Sequence, residues 1–330
     1  MIQYPRAPGV VLTLLGFLLV SSGSVVHAQA VAGGLTYLEP GQPPVMIHPT
    51  VQDSLRLRES GAASTANDLY YHGGIGGIGV ETAPKVYLVF WGSQWNSNDP
   101  SGEGSILQNF YNGVGGSSWL NSVAQYCQGV ATGTYYCHGA GHPAGNPSHL
   151  LAGVWHDNAS PSPSSPGQSQ FASEAVRAAH HFGNTTGASN ASVQYVIAIA
   201  HGVVPPGFRT QYCAYHSSTS STVGYVAYTN LPYITDAGVS CGANFNGLGP
   251  KAGMTIVGGH EMGETITDQF PNGGWLDSSH GENGDKCAWI PSGHQGAATK
   301  ITLSTGTFPV QSLWSNAFNS GAGGCVLKYP

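Results

Sequence analysis

Short runs of apolar residues predict the strands of a buried sheet. Residues 85–92 (KVYLVFWG) and 193–200 (VQYVIAIA) are almost continuously apolar, and the first run is bounded by Pro84 and Gly92. Such runs are typical of strands that are covered on both faces, as in parallel sheets. Residues 223–228 (VGYVAY) are a third, less regular candidate.

Apolar residues at helical spacing predict the elements around those strands. The candidate helices are 51–59, part of 104–123, 171–182 and 255–267. Short strands are expected at 285–290 and 300–303, and 308–316 is either a last strand or a loop. Strands that alternate with helices indicate an α/β (or α+β) fold. We therefore expect a single layered domain with a central, mostly buried sheet and long Gly-, Ser- and Pro-rich loops.

The first 30 residues have the pattern of a secretory signal peptide. Arg6 precedes an apolar core at 10–20, and Ala28-Gln29-Ala30 forms an A-x-A site, which places cleavage after Ala30. The apolar core is shorter than the roughly 18 residues that a membrane span needs. We expect a secreted (extracellular or periplasmic) protein that leaves the membrane after cleavage. Residues 31–69 are predicted to be a removable pro-segment or an N-terminal arm.

The cysteine content fits an exported protein. The chain has 6 cysteines and no C-x-x-C pair, and an oxidising destination makes disulfides the default state. Sequence neighbours favour the pairs Cys127–Cys137, Cys213–Cys241 and Cys287–Cys325. The last pair would fasten the C-terminus to an acidic stretch at 258–289.

The charge distribution excludes one class of partner and marks one region. Charged residues make up 8% of the chain and the formal net charge is −6, which argues against nucleic acid as a partner. Of the 16 acidic residues, six lie within 258–289: Glu261, Glu264, Asp268, Asp277, Glu282 and Asp285. A chain so poor in charge gathers carboxylates for a metal site, an acid/base site or a loop-capping network.

The acidic stretch opens with an H-E-x-x-E motif on the predicted helix 255–267. His260 and Glu264 are four positions apart and lie on one helix face, with Glu261 rotated by about 100°. This is the geometry of the H-E-x-x-H zinc helix, in which two residues bind the metal and the adjacent Glu is the general base. Glu264 replaces the second His, and its negative charge would weaken zinc as a Lewis acid.

A third ligand must come from outside the helix. Asp268 lies on the same face but about 12 Å along the axis from His260, too far to share one ion. The chain turns soon afterwards, so that Glu282 or Asp285 could return to the metal. Asp285 is favoured because it precedes a predicted strand that Cys287 would hold.

Other interpretations of the same residues stay open. His201, at the end of the strand 193–200, and His280 are less favoured ligands. Asp268 and Asp277 could instead cap turns, or Asp277, Glu282 and Asp285 could hold a structural calcium ion. Gly238 to Gly242 spells G-x-S-x-G around Ser240, but no helix is expected to follow, as a nucleophile elbow requires.

Several motifs resemble a known group of proteins. They are PKVYLVFWG, QYVIAIAHG, YTNLPYITDAG, GGHEMGETITDQF with GWLDSSHGENGDKCAW, and SLWSNAFNSGAGGCV. From residue 70 to the end, the chain resembles secreted bacterial proteins that are distantly similar to the plant phosphate-induced, EXORDIUM-like family. That resemblance implies an association with the cell wall. The H-E-x-x-E helix is separately similar to zincin metalloproteases, which implies that His260 and Glu264 are ligands and Glu261 is the base.

Two functions follow as expectations. The first is a secreted zinc-dependent hydrolase, foremost a metallopeptidase acting on a protein or peptide substrate, with residues 70–330 as a zincin-like α/β catalytic domain. Zinc would be bound by His260, Glu264 and either Asp285 or Glu282, with Glu261 as general base. The second is a non-catalytic extracellular module that binds cell-wall polysaccharide or a partner, in which the acidic stretch is structural.

Overall fold

The computed structural model describes residue 1 and residues 34–59 and 68–329, so the predicted signal peptide at 1–30 lies outside the described part apart from Met1. The strands are β1 Leu35–Thr36, β2 Val45–Pro49, β3 Tyr70–Tyr71, β4 Lys85–Trp91, β5 Cys127–Gln128, β6 His142–Pro143, β7 Leu151–Asp157, β8 Val193–Ile199, β9 Tyr212–Ser221, β10 Gly224–Leu231, β11 Trp275–Leu276, β12 Thr299–Leu303, β13 Gly306–Val310, β14 Leu313–Ser315 and β15 Gly324–Val326. The α-helices are α1 Val51–Glu59, α2 Glu103–Val114, α3 Gln168–His181, α4 Gly187–Asn190, α5 Ala252–Thr267 and α6 Phe318–Gly321.

A 7-stranded mixed sheet forms the centre, in the order β1-β2-β9-β10-β8-β4-β7. The neighbours β10, β8, β4 and β7 run parallel, and β8 is buried along its whole length. The predicted strands at 85–92, 193–200 and 223–228 are confirmed as β4, β8 and β10. Their apolar runs follow from burial on both faces of a sheet that helices cover.

An antiparallel extension completes the other side of the sheet. Strand β9 pairs antiparallel with β10, and β2 pairs antiparallel with β9. Residues 45–49, which belong to the predicted N-terminal arm or pro-segment, therefore lie in the central sheet. The sequence did not indicate β9, because its second half is a Ser/Thr run, or β7, most of whose residues are only partly buried.

Helix α5 crosses the interior, and every one of its residues is buried. A helix that is apolar or small on all sides, as this one mostly is, buries its full circumference. All three predicted disulfides are present: Cys127–Cys137, Cys213–Cys241 and Cys287–Cys325. Within the described residues, no helix is long and apolar enough to cross a membrane.

Some predicted elements differ from the structure. The predicted strand at 285–290 is wrong: Asp285–Cys287 is a 3₁₀ helix, since the N–H groups of residues 286–288 bond to carbonyls three or four residues earlier. Residues 308–316 divide into two strands of different hairpins, β13 and β14. The helical pattern at 104–123 ends as an α-helix at Val114, before two glycines.

Candidate metal centre

Helix α5 carries the H-E-x-x-E motif into the core. His260, Glu261 and Glu264 are each 0% exposed. Glycines on the same helix let neighbouring side chains approach, since a Cβ added to Gly259 or Gly263 would lie 3.2 Å from the nearest side-chain atom. Burying three ionisable side chains is costly unless they are paired or bind a metal. Their partners therefore decide what this region does.

Three ligand-type atoms converge at a first site, formed by His260, Glu264 and Asp285. His260 Nε2 lies 3.0 Å from Glu264 Oε2 and 3.7 Å from Asp285 Oδ1. Beyond this close contact between His260 Nε2 and Glu264 Oε2, none of the three atoms has a hydrogen-bond partner within the described part of the chain. Unpartnered buried polar atoms need a physical explanation, and a cation bound between them is one.

The loop that contains Asp285 is held against the helix. The Asp285 N–H donates to Glu264 Oε1 over 2.9 Å. Gly284 permits this approach, because a Cβ there would stand 2.7 Å from His260 Nδ1. Gln311 donates from Nε2 to the Gly284 carbonyl, which leaves its Oε1 to accept from His260 Nδ1 at 3.3 Å. The lone pair of His260 Nε2 then points into the first site, the orientation that metal-binding histidines have.

A second site adjoins the first and is formed by His216, Asp268 and Glu282. His216 comes from β9, and its Nε2 lies 3.6 Å from Glu282 Oε1. His216 Nδ1 lies 3.3 Å from Glu261 Oε2 and 3.7 Å from Glu264 Oε2. Of the two ligand candidates that the sequence offered in the returning loop, Asp285 therefore faces His260 and Glu282 faces His216.

Asp268 and Asp277 stabilise turns, the alternative role considered for them. Asp268 accepts the N–H groups of Asn272, Gly273 and Gly274. Asp277 accepts those of Ser279 and Gly281 and the ammonium of Lys286. Asp268 additionally borders the second site, whereas Asp277 belongs to neither site.

His48, on β2, covers the first site. Its ring stacks on that of His260 with centroids 3.8 Å apart and planes within 4°, and the Trp289 ring lies on it at 4.8 Å. Neither ring nitrogen of His48 has a hydrogen-bond partner among the described residues. A Cβ at Gly34 would come within 2.5 Å of Asp285 Oδ2, so the chain directly before β1 also packs against the first site.

Burial dominates the electrostatics of both sites. It raises the pKa of four carboxyl groups well above their ordinary values, those of Glu261, Glu264, Glu282 and Asp285. It raises the pKa of Asp268 to about 7, although three backbone N–H donors oppose the shift. Burial also lowers the pKa of His260 to about 4 and that of His216 to about 3. The imidazoles are therefore neutral at neutral pH, the form that binds metals.

The other sequence candidates lie elsewhere. His201 Nδ1 contacts Asp236 Oδ1 at 2.5 Å, and His280 packs near His72 with ring centroids 6.2 Å apart. Ser240 lies in the 3₁₀ helix Ile234–Cys241, where Cys241 is bonded to Cys213. No strand leads directly into Ser240, so it does not form a nucleophile elbow.

Sequence reasoning missed three residues that shape the centre. His48 and His216 are single histidines on strands that the hydrophobic pattern did not predict, and Gln311 lies between two strands. No local spacing relates them to the motif. The signal that could have found them is strand pairing, because β2 and β9 are neighbours in the sheet.

The chain was compared with protein-family models, curated proteins and solved structures, and none of them matches it.

Proposed function

We propose that the protein is a secreted zinc-dependent hydrolase, foremost a metallopeptidase. The observation that carries the proposal is the convergence of His260 Nε2, Glu264 Oε2 and Asp285 Oδ1, three buried atoms without hydrogen-bond partners among the described residues. Two of them come from the H-E-x-x-E helix and the third from the returning loop. The disulfides are consistent with an extracellular location.

The donor set favours zinc over calcium. Zinc accepts imidazole nitrogen together with carboxylate oxygen, whereas calcium takes 6–8 oxygen ligands. The first site offers one neutral imidazole and two carboxylates, and the histidine is oriented by Gln311. A structural calcium site among Asp277, Glu282 and Asp285 has less support, because Asp277 pairs with the Lys286 ammonium and lies outside both sites.

Glu261 is the residue proposed to move a proton. Its Oε2 lies 3.3 Å from His216 Nδ1, and its Oε1 has no hydrogen-bond partner in the described part of the chain. Burial raises the pKa of this carboxyl, so it takes up a proton more readily than an exposed glutamate does. A bound zinc ion supplies polarisation of a carbonyl and activation of water.

Access to the site requires that β2 moves, because His260 and Glu264 are 0% exposed and the Asp285 side chain is 4% exposed. If residues 31–69 are a pro-segment, their removal would take β2 away from the site. In the described sheet the neighbours of β2 are β1 and β9, and the Pro49 carbonyl also accepts from Trp289 Nε1. Departure of β2 would leave β9 as an open sheet edge above His260. An extended peptide can bind such an edge by strand addition. On this proposal residues 34–49 keep the enzyme latent until they are removed.

The full burial of the ligands also favours a second candidate function. A metal that no substrate can reach is structural, and the chain would then be a non-catalytic extracellular module. The EXORDIUM-like resemblance supports this candidate, with cell-wall polysaccharide as its ligand. The N-terminal arm would then be a permanent strand of the sheet.

One experiment separates the two candidates. A site-specific protease sequence is introduced at residues 60–67 of the exported protein, and hydrolysis of casein is measured before and after cleavage. The proposed enzyme gains activity on cleavage, and the Glu261→Gln variant treated identically does not. Absence of hydrolysis in both forms over a wide pH range, with zinc bound, refutes the hydrolase and favours the structural metal site.

A further inference from the structure

The second site is not needed by a single-zinc hydrolase, yet it also combines one histidine with two carboxylates. It differs from the first site in that both oxygens of Asp268 also accept backbone N–H groups. His216 and Glu282 are both 0% exposed. Within the described residues, His216 Nε2 and both carboxylate oxygens of Glu282 have no hydrogen-bond partner. Asp268 closes the group, so that one nitrogen and two carboxylates again face one another.

The two histidines are oriented in the same way. His260 Nδ1 faces the Gln311 side-chain carbonyl at 3.3 Å, and His216 Nδ1 faces Glu261 Oε2, also at 3.3 Å. An acceptor at Nδ1 keeps the proton there and leaves the Nε2 lone pair free. A carboxylate that holds a histidine while its other nitrogen binds a metal is a recurrent arrangement. Glu261 gives His216 this arrangement.

The distances distinguish a shared ion from a hydrogen bond. His216 Nε2 lies 3.6 Å from Glu282 Oε1, beyond the range of an N–H···O or O–H···N bond. Two ligands with bonds of about 2.1 Å to one tetrahedral ion stand roughly 3.4 Å apart. Protons shared between the carboxyls would reduce the charge of the cluster.

The charge of the cluster also exceeds what one ion offsets. Glu261, Glu264, Asp268, Glu282 and Asp285 are all buried or nearly so, and their ion pairs among the described residues involve only His216 and His260. One divalent cation would offset less than half of their five formal charges. Glu264 Oε2 lies between the two histidines, 3.0 Å from His260 Nε2 and 3.7 Å from His216 Nδ1.

We propose that the protein binds a second divalent cation of the zinc type through His216 Nε2, Glu282 and Asp268, beside the first site. The centre then holds two cations, with Glu264 positioned between their histidines. The second cation neutralises the carboxylates of the returning loop and holds β9 against α5. This inference extends the proposed function but depends on metal binding, not on hydrolysis.

The test is metal stoichiometry of the purified full chain after dialysis against zinc and removal of unbound ions. We expect two zinc ions per chain in the wild type and one in each of Glu282→Gln and Asp285→Asn. Glu81→Gln is the matched control. Glu81 is a buried carboxyl outside both sites that accepts from Gln194 Nε2, and its variant should keep two ions. Anomalous diffraction at the zinc edge from wild-type crystals should give two peaks, one beside each Nε2.

The outcomes separate this proposal from the hydrolase. One ion per chain that is lost in Asp285→Asn and retained in Glu282→Gln overturns the second site and leaves the first intact. Absence of bound zinc in the wild type overturns both sites. Two ions without hydrolysis support the two-cation centre and refute the enzyme. The wild-type diffraction result stands even where a variant fails to fold.

Discussion

Removal of divalent cations should lower the thermal stability of the folded protein by a measurable amount. Without an ion, His260 Nε2, Glu264 Oε2 and Asp285 Oδ1 are buried polar atoms that lack hydrogen-bond partners within the described chain. Each such atom costs about 1–3 kcal/mol, so the first site alone accounts for roughly 3–9 kcal/mol. A bound ion recovers this free energy because it binds the folded state and not the unfolded one.

That free energy converts into a shift of the unfolding midpoint. At about 2.1 cal/mol/K per residue, a folded unit of roughly 280 residues has an unfolding entropy of ~0.6 kcal/mol/K. The expected fall in Tm on chelation is therefore about 5–15 °C, and adding zinc back should restore it. The assay is thermal unfolding followed by circular dichroism at pH 7, before and after dialysis against EDTA, with the metal content measured in each sample.

Two variants make this prediction specific. Asp285→Asn should show a smaller fall in Tm on chelation than the wild type, because it binds the first ion weakly or not at all. Glu81→Gln, with its altered carboxyl outside both sites, should show the full wild-type fall. An unchanged Tm after complete removal of the metal from the wild type would refute the reasoning, since the unpartnered atoms would then have another partner.

Further predictions concern catalysis, pH and the disulfides. Glu261→Gln should lower casein hydrolysis by the cleaved chain at least about 100-fold, as expected on loss of a general base, while zinc content stays unchanged; retained activity would exclude Glu261 as the base. Burial raises the pKa of Glu81 to about 8, so the folded state holds this proton more tightly than the unfolded state does. The stability that this difference provides is fully present below about pH 4.5 and is lost as the pH rises to 8. In urea unfolding, the free energy of unfolding of Glu81→Gln should therefore rise relative to that of the wild type by on the order of 4 kcal/mol from pH 5 to pH 8. A difference between the two proteins that stays constant with pH would contradict the raised pKa. Cys287→Ala with Cys325→Ala should cost about 2–5 kcal/mol and weaken zinc binding, because Cys287 closes the loop after Asp285; unchanged affinity would show that the loop is held without it.

Local sequence determined much of the framework. The apolar runs at 85–92 and 193–200 predicted central strands, because burial on both faces demands apolar residues at every position. Helical spacing placed His260 and Glu264 side by side, since residues four apart share a helix face in any helix. The disulfide pairs followed from proximity along the chain. Each of these features depends on residues that are close in sequence.

Tertiary structure alone decided the composition of the centre. His48 and His216 lie far from the H-E-x-x-E motif in sequence and reach it because β2 and β9 pair beside α5. A histidine in a strand without an apolar pattern carries no local signal of what it will face. Asp285 and Glu282, three residues apart, face different histidines, His260 on α5 and His216 on β9. Sequence thus specified the proposed ligands on the helix. Strand pairing brought His48 and His216 to them, and the loop after α5 brought Glu282 and Asp285.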